Sequence, residues 1–301
     1  MAKREKKAEV GPKRRGKTGM AKKGALKRQR AAGFPVEREE MVAVWRALNA
    51  ARARESLDPD WLRFAASALE QAHRSAAQLF QDLWVLWETG NLEGGCFVEF
   101  GACDGKFLSN TWLLERAFGW RGVVAEPNPV YHAALAANRN CVVDTRCVWS
   151  RSGEQVKFRA VEEPEYSAMA DVDPDDHHER TGVRDRFDLV DVETVSLVDL
   201  LTEAKLPRRI DYLSLDTEGS EYDILEAFDF NAFDVRLITV EHNYTRRRND
   251  IDALLKSKGF RRRFPEMTRW DDWYVSERPS LPGPVGLVAK SPKTRKKKAK
   301  A

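Results

Sequence analysis

The chain has 301 residues, 42% of them hydrophobic, enough for one large domain or two small ones with a substantial core. Its net charge of +4 hides an asymmetry: residues 1–30 carry 13 Lys and Arg against Glu5 and Glu9, residues 290–301 carry seven and no acid, and 31–289 is left at −14. No apolar run approaches the roughly 18 residues of a membrane span, and the N-terminus lacks the apolar stretch of a secretory signal, so the expectation is a cytoplasmic protein with no transmembrane segment.

Residues 1–30 and 290–301 have no aromatics and no apolar periodicity. This composition predicts disordered basic tails over 1–34 and 279–301. Such tails can contact polyanions in a salt-dependent way, or merely add solubility and hold the acidic middle. Without stacking aromatics they offer no base-specific readout. Residues 35–90 form a predicted helical extension. Met41 to Ala53 and Trp61 to Trp87 have apolar residues at helical spacing, and Asp58-Pro59-Asp60 marks the break between them. Leu79, Phe80, Leu83, Trp84, Leu86 and Trp87 make a face broad enough to pack on a sheet.

From Phe97 to Asn128 the pattern reads strand, glycine turn, helix, strand. Phe97, Val98 and Phe100 are β-formers around Glu99. Gly101 and Gly105 allow a sharp turn and close passage of backbone past a ligand. Ser109 to Phe118 has helical spacing, Gly122 to Ala125 is the second strand, and Glu126 ends it. A carboxylate at that position can accept hydrogen bonds from both hydroxyls of a ribose. The turn is not the G-x-G-x-x-G that cradles a pyrophosphate, which argues against a nicotinamide enzyme. Glu99 and Asp104 would repel phosphate and suit a cofactor bearing an ammonium and a sulfonium, S-adenosyl-L-methionine. The bland alternative is an ordinary βαβ unit with solvated acids.

Further on, a helix to about Arg139 precedes a third strand at Cys141 to Val143. Cys147 to Trp149 and Val156 to Phe158 flank Ser152-Gly153 and suggest a hairpin. Residues 160–190 read as a long polar loop, of the kind that is functional or unstructured. Strands are expected at Val192 to Leu197, Ile210 to Leu215 and Val235 to Glu241, helices at Val198 to Ala204, Glu221 to Phe228 and Asn249 to Lys258. Two late strands follow, at Phe260 to Phe264 and Trp273 to Val275. Alternating β and α argues for a mostly parallel sheet. Cys96, Cys103, Cys141 and Cys147 form no C-x-x-C pair, and buried reduced thiols are expected rather than disulfides or zinc.

A second chemical cluster stands at two strand ends: Asp216, Glu218 and Glu221 after the fourth core strand, Glu241, His242 and Asn243 after the fifth. Strand ends on one edge of a parallel sheet converge. Transfer to an alcohol needs a base within hydrogen-bond reach. His242 is the first candidate, Glu218 the second, with Glu241 beside them and Asp216 a neighbour of the cofactor. Asp216, Glu218, Glu241 and His242 could also hold a divalent metal, which is not predicted here; helix capping and strand-end structure are the plainer roles. Asp175-Asp176-His177-His178 has metal-like residue types but lies in the polar loop and reads as a solvated stretch or a substrate lid.

The chain resembles the FkbM family of S-adenosyl-L-methionine-dependent methyltransferases over roughly Gln78 to Ser276. The resemblance rests on SAAQLFQDLWVLW, FVEFGACDGKFLSNT, VVAEPNP, SLVDLL, IDYLSLDTEGSEYDIL, ITVEHN and DDWYV, in the family's order. It implies an α/β, Rossmann-like, seven-stranded mostly parallel sheet of the class I methyltransferase type, with a late antiparallel strand pair, over a domain at 91–278. It implies methyl transfer, in most members to a hydroxyl oxygen of a small molecule or glycan. The methionine part of the cofactor would lie near Glu99, Gly101, Ala102, Asp104 and Gly105, the ribose on Glu126, and the adenine by Pro127, Asn128, Cys147 and Val148. Ser109, Asn110 and Thr111 would cap the helix and reach the carboxylate end of the cofactor. Cys103, where the family commonly has a bulkier residue, and the insertion at 160–190 depart from the pattern. A different class of reading is an RNA-associated protein using the same fold; the basic tails favour it and the acidic middle opposes it.

Overall fold

The computed structural model describes residue 46, residues 59–172 and residues 177–279. Both expected basic tails, apart from Pro279, and the expected helix at Met41 to Ala53, apart from Arg46, lie outside the described residues, as do Asp175 and Asp176. Among the described residues no helix is long and apolar enough to cross a membrane.

Seven strands form the main sheet: β1 (Cys96–Phe100), β2 (Arg121–Ala125), β3 (Val142–Asp144), β8 (Arg209–Leu215), β9 (Asp234–Glu241), β10 (Phe260–Arg263) and β11 (Asp271–Ser276). Their order is β10-β11-β9-β8-β1-β2-β3. The pairs from β9 to β3 are parallel, and β11 runs antiparallel to both β9 and β10. The expected mostly parallel sheet and its late antiparallel pair are both present.

A sheet buried on both faces needs apolar residues on both sides of each strand, and β1 is buried at every position. Its Cys96, Val98 and Phe100 join one core with α6 (Leu197–Glu203), α7 (Glu221–Ala227) and α8 (Arg247–Ser257). Phe97 faces a second core with α1 (Pro59–Gln71), α2 (Gln81–Glu88), α3 (Trp112–Phe118) and α4 (His132–Asn138). There Trp84 of α2 lies 5.1 Å from Trp273 of β11, ring to ring, both fully buried. Burying side chains of that size contributes about 2–3 kcal/mol each.

The single helix expected from Trp61 to Trp87 is interrupted. Ser75 Oγ and the Ala76 amide donate to the Asp82 carboxylate, and Phe80 takes a left-handed backbone, so the chain leaves the helix and re-enters at Gln81. The expected hairpin across Ser152-Gly153 does not form either. The strands β4 (Cys147–Trp149) and β5 (Gln155–Val161) each pair with β7 (Phe187–Ser196) instead of with one another. With β6 (Ala168–Met169) they make a four-stranded sheet, so much of the expected 160–190 loop is ordered structure. It also carries α5 (His177–Thr181).

Candidate functional site

The parallel strands β1, β2, β8 and β9 end on one edge, and a cavity of about 820 Å³ opens there. The volume is in the range that holds a small-molecule ligand. Its walls come from the turn after β1, the end of β2, the loops after β8 and β9, and the four-stranded sheet with its insertion.

After β1 the chain turns at Gly101, with φ of +70°. A Cβ at this position would stand 1.9 Å from the carbonyl oxygen of Asp216, so only glycine lets the two strand ends approach this closely. Glu126, 5% exposed, faces the cavity from the tip of β2. The Cys103 amide donates to its Oε2 at 2.9 Å and the Asn128 amide to its Oε1 at 2.8 Å. Both oxygens are therefore fixed in place, and each can accept a second donor from the cavity. Burial pushes this carboxyl up to about 7. Asn110 also lines the cavity; its Nδ2 donates to Ser214 Oγ at 2.9 Å, and its buried Oδ1 meets no hydrogen-bond partner among the described residues. Pro127, Cys147 and Val148, with Phe158 and Met169, add an apolar wall.

The acids after β8 and β9 converge as expected. Carboxylate oxygens of Asp216, Glu218 and Glu241 come within 4.8 Å of one another, and all three line the cavity. Their environments differ. Glu218 Oε2 accepts from Arg184 Nη2 at 2.6 Å and from Asn243 Nδ2 at 3.2 Å. Arg184 already supplies a cation to this group, and we assign no metal to it. Asp216 and Glu241 have no ion-pair partner among the described residues, and enclosure pushes both carboxyls upward, Glu241 further because Asp216 adds like charge. Beside them, Asp271 faces Glu241 across the β9–β11 pair, accepts from Gln81 Nε2 at 2.7 Å, and is pushed by burial up to about 8.

The structure separates the expected site residues into two sets. Gly101, Asn110, Glu126, Pro127, Cys147, Val148, Asp216, Glu218 and Glu241 line the cavity; Glu99, Ala102, Asp104, Gly105, Ser109, Thr111, Asn128 and His242 do not. Glu99 has its capacity filled from within: Ser109 Oγ, the Asn110 amide, Thr111 Oγ1 and Arg139 Nη1 all donate to it. Asp104 caps its own turn by accepting from the Lys106 and Phe107 amides. The Nδ1 of His242 accepts from the Tyr244 amide at 3.0 Å, and its Nε2 points toward Asp272, 3.8 Å away, in a buried setting that lowers its pKa to about 4. It borders a separate, smaller cavity of about 290 Å³. A ring so placed is neutral at ordinary pH and turned from the large cavity.

Several lining residues lie outside the sequence motifs. Tyr166 and His178 of the insertion have ring centroids 4.4 Å apart, and the buried Arg184, which does not itself line the cavity, donates through Nε to the Tyr166 carbonyl and through Nη2 to Glu218. Gln78 accepts from the Trp270 indole at 3.1 Å, and Phe107 and Tyr244 stand exposed on the cavity wall. Cys103, Leu108, Glu218, Asn243 and Tyr244 all line the cavity with left-handed backbones. Non-glycine residues in that conformation cost about 1–2 kcal/mol each, and such strain gathers at functional sites. A signal was available in the sequence for Asn243 alone, whose residue type tolerates this conformation.

No curated protein matches the chain. The family model described as the methyltransferase FkbM domain matches residues 99–262, more than half of the chain, from β1 to β10 and across every strand end that lines the cavity. The chain belongs to this family of methyltransferases.

Proposed function

We propose that the protein transfers the methyl group of S-adenosyl-L-methionine to a hydroxyl oxygen of a small molecule or glycan. The observation that carries the reading is Glu126: a buried carboxylate at a strand tip, held by two backbone amides, with acceptor capacity left toward a cavity that also contains an acid pair. The residues fit the cofactor. Glu126 would accept from the two ribose hydroxyls, Asn110 Oδ1 offers an acceptor to the ammonium, and Cys147, Val148, Phe158 and Met169 form an apolar surface for the adenine. When bound, the cofactor supplies an electrophilic methyl group on a sulfonium.

This chain's residues would do the rest. Asp216 and Glu241, within 4.8 Å of one another, have no ion-pair partner among the described residues, and either can take the acceptor's hydroxyl proton. Glu218, tied to Arg184 and Asn243, is a weaker base and fixes the loop. Phe107, Tyr244 and Trp270 give flat apolar surfaces on which a sugar ring or similar body can lie, and Pro164, Tyr166 and His178 of the insertion line the same cavity. Alignment by such walls can supply ~7–11 kcal/mol of the barrier lowering. The acids in the cavity argue against a polyanionic acceptor, which leaves the nucleic-acid reading without support from the site. Within this proposal, 91–278 is the methyltransferase domain, and the four free cysteines suit a reducing, cytoplasmic setting.

The test is transfer of labelled methyl from S-adenosyl-L-methionine to a panel of hydroxyl-bearing metabolites and glycans, with the product identified by mass spectrometry. In parallel, Glu126→Ala is expected to weaken the cofactor at least about tenfold, because charge-assisted hydrogen bonds contribute ~1.5–3 kcal/mol each. The fold should persist. Unchanged affinity removes Glu126 from the ribose and the proposal with it.

A further inference from the structure

Methyl transfer from a sulfonium to an alcohol liberates a proton in an enclosed site, and the structure bears on where it goes. Two carboxyls, Asp216 and Glu241, stand on the cavity wall with oxygens within 4.8 Å of each other. Of the cations nearby, Arg184 is engaged with Glu218, Arg139 with Glu99, and Arg248 and Arg262 with Asp272, while Arg180 lines the same cavity and Arg247 the smaller one, 3.8 Å from Asp223. The other groups facing the pair are acids: Glu99 from β1, Glu126 from β2, Glu218 from the loop after β8, Glu221 from α7 and Asp271 from β11. Two adjacent carboxyls without a cation retain one proton between them. A second feature marks the same cavity as a place for a cation: Asn110 Oδ1, in a residue 7% exposed, is an acceptor with no partner among the described residues. Glu241 also lines the smaller cavity, whose walls carry Asp171, Glu221 and Asp223, so it stands between the large cavity and a second polar space.

We infer that the Asp216–Glu241 pair keeps the proton taken from the methyl acceptor and gives it up only when a new sulfonium cofactor enters. This rests on the function proposed above. In the transfer, the acceptor oxygen forms a bond to the methyl carbon, the carbon–sulfur bond breaks, and its electron pair stays on sulfur as a neutral thioether. The hydroxyl proton passes to the pair, which is then singly protonated beside an uncharged product. When the thioether is replaced by a sulfonium, the positive charge next to the pair favours its ionised form, and the proton leaves through Glu241 toward the smaller cavity. The base is thus generated by the arrival of the methyl donor. Burial already raises both carboxyls, so a proton is present to be displaced near neutral pH.

The experiment needs no acceptor. Calorimetric titration of the full-length protein near pH 7, in two buffers of different ionisation enthalpy, counts the protons exchanged on binding S-adenosyl-L-methionine and, separately, S-adenosylhomocysteine. The two ligands share ribose and amino acid, so any proton exchange at Glu126 is common to both. The expected result is about one more proton released with the sulfonium than with the thioether, and an affinity ratio between the two that grows by up to about tenfold per pH unit. In folded Glu241→Gln, and likewise in Asp216→Asn, the extra release should disappear. Equal proton counts for both ligands in the wild type overturn the inference while leaving the function intact; an extra release that survives in both variants removes it from this pair. Failure of either ligand to bind at all overturns the function and the inference together.

Discussion

Glu99→Gln separates a cofactor contact from a structural pin. By position in the glycine turn, Glu99 is expected at the methionine end of the cofactor; in the structure it accepts from Ser109, Asn110, Thr111 and Arg139 and is 3% exposed. These bonds fix the start of α3 and tie β1 to Arg139, which also donates from Nε to Glu115 at 2.5 Å. Glutamine keeps the shape but loses the charge and turns an N–H₂ toward donors. Breaking one partner of a buried pair costs about 3–5 kcal/mol. In a folded body of this size each kcal/mol moves the melting temperature by about 2–4 °C, so a fall of about 6–20 °C is expected. Urea unfolding should show the same loss, while affinity for S-adenosylhomocysteine, measured well below the transition, stays within about threefold. A variant of undiminished stability that has lost more than about tenfold in affinity would refute the argument and return Glu99 to the cofactor.

Two further outcomes are expected. His242→Ala should cost about 1–3 kcal/mol of stability through the orphaned Tyr244 amide and leave S-adenosylhomocysteine affinity unchanged, with turnover on an identified acceptor falling less than about threefold; a loss of ~10²-fold or more would make His242 the base after all. The unliganded protein should melt at a higher temperature at pH 5.5 than at pH 8.5. Asp82, Glu126 and Asp271 have folded values pushed up to about 6, 7 and 8, above their ordinary range, so their contribution is present at low pH and is lost as pH rises through those values. A melting temperature that climbs across the same interval contradicts this.

The succession of core strands along the chain and the place of Glu126 at a strand tip were legible because they depend on local signals. Apolar runs, glycines with positive φ and acids at strand tips survive in one dimension. That Glu99, Asp104, Ser109 and Thr111 stand off the cavity was not legible for a physical reason: a carboxylate beside a glycine turn serves equally well to bind a ligand or to satisfy the amides and hydroxyls that start the next helix. Only the partner count decides, and the fourth partner, Arg139, comes from 40 residues away. His242 shares that difficulty, since its direction depends on Tyr244 and on Asp272 of another strand. The insertion was the least legible part. Its pairing of β5 with β7 spans Gln155 to Phe187 across a polar sequence, and Arg184 gives no sign in the sequence that it is buried against Glu218.

These differences follow a division in the cavity itself. The wall assigned to the cofactor comes mainly from the ends of β1 and β2, short elements separated by one helix, whose geometry is set by close approaches such as that of Gly101 to Asp216. The opposite wall is assembled from distant pieces: Gln78 and Gln81 before the match to the family begins, Tyr166 and His178 from the insertion, Tyr244 and Trp270 from the β9–β11 end. They are held by contacts such as Gln81 to Asp271, Trp270 to Gln78 and Arg184 to Glu218. These contacts join residues 34, 190 and 192 positions apart in the chain, so this wall depends on segments outside the first strand-turn-helix unit. In the function proposed above, the acid pair would serve both the part that binds the methyl donor and the part that selects what receives the methyl group. The chemistry can therefore be kept while the acceptor changes, and the acceptor must be sought through Gln78, Tyr166, Tyr244 and Trp270 rather than through the motifs that define the family.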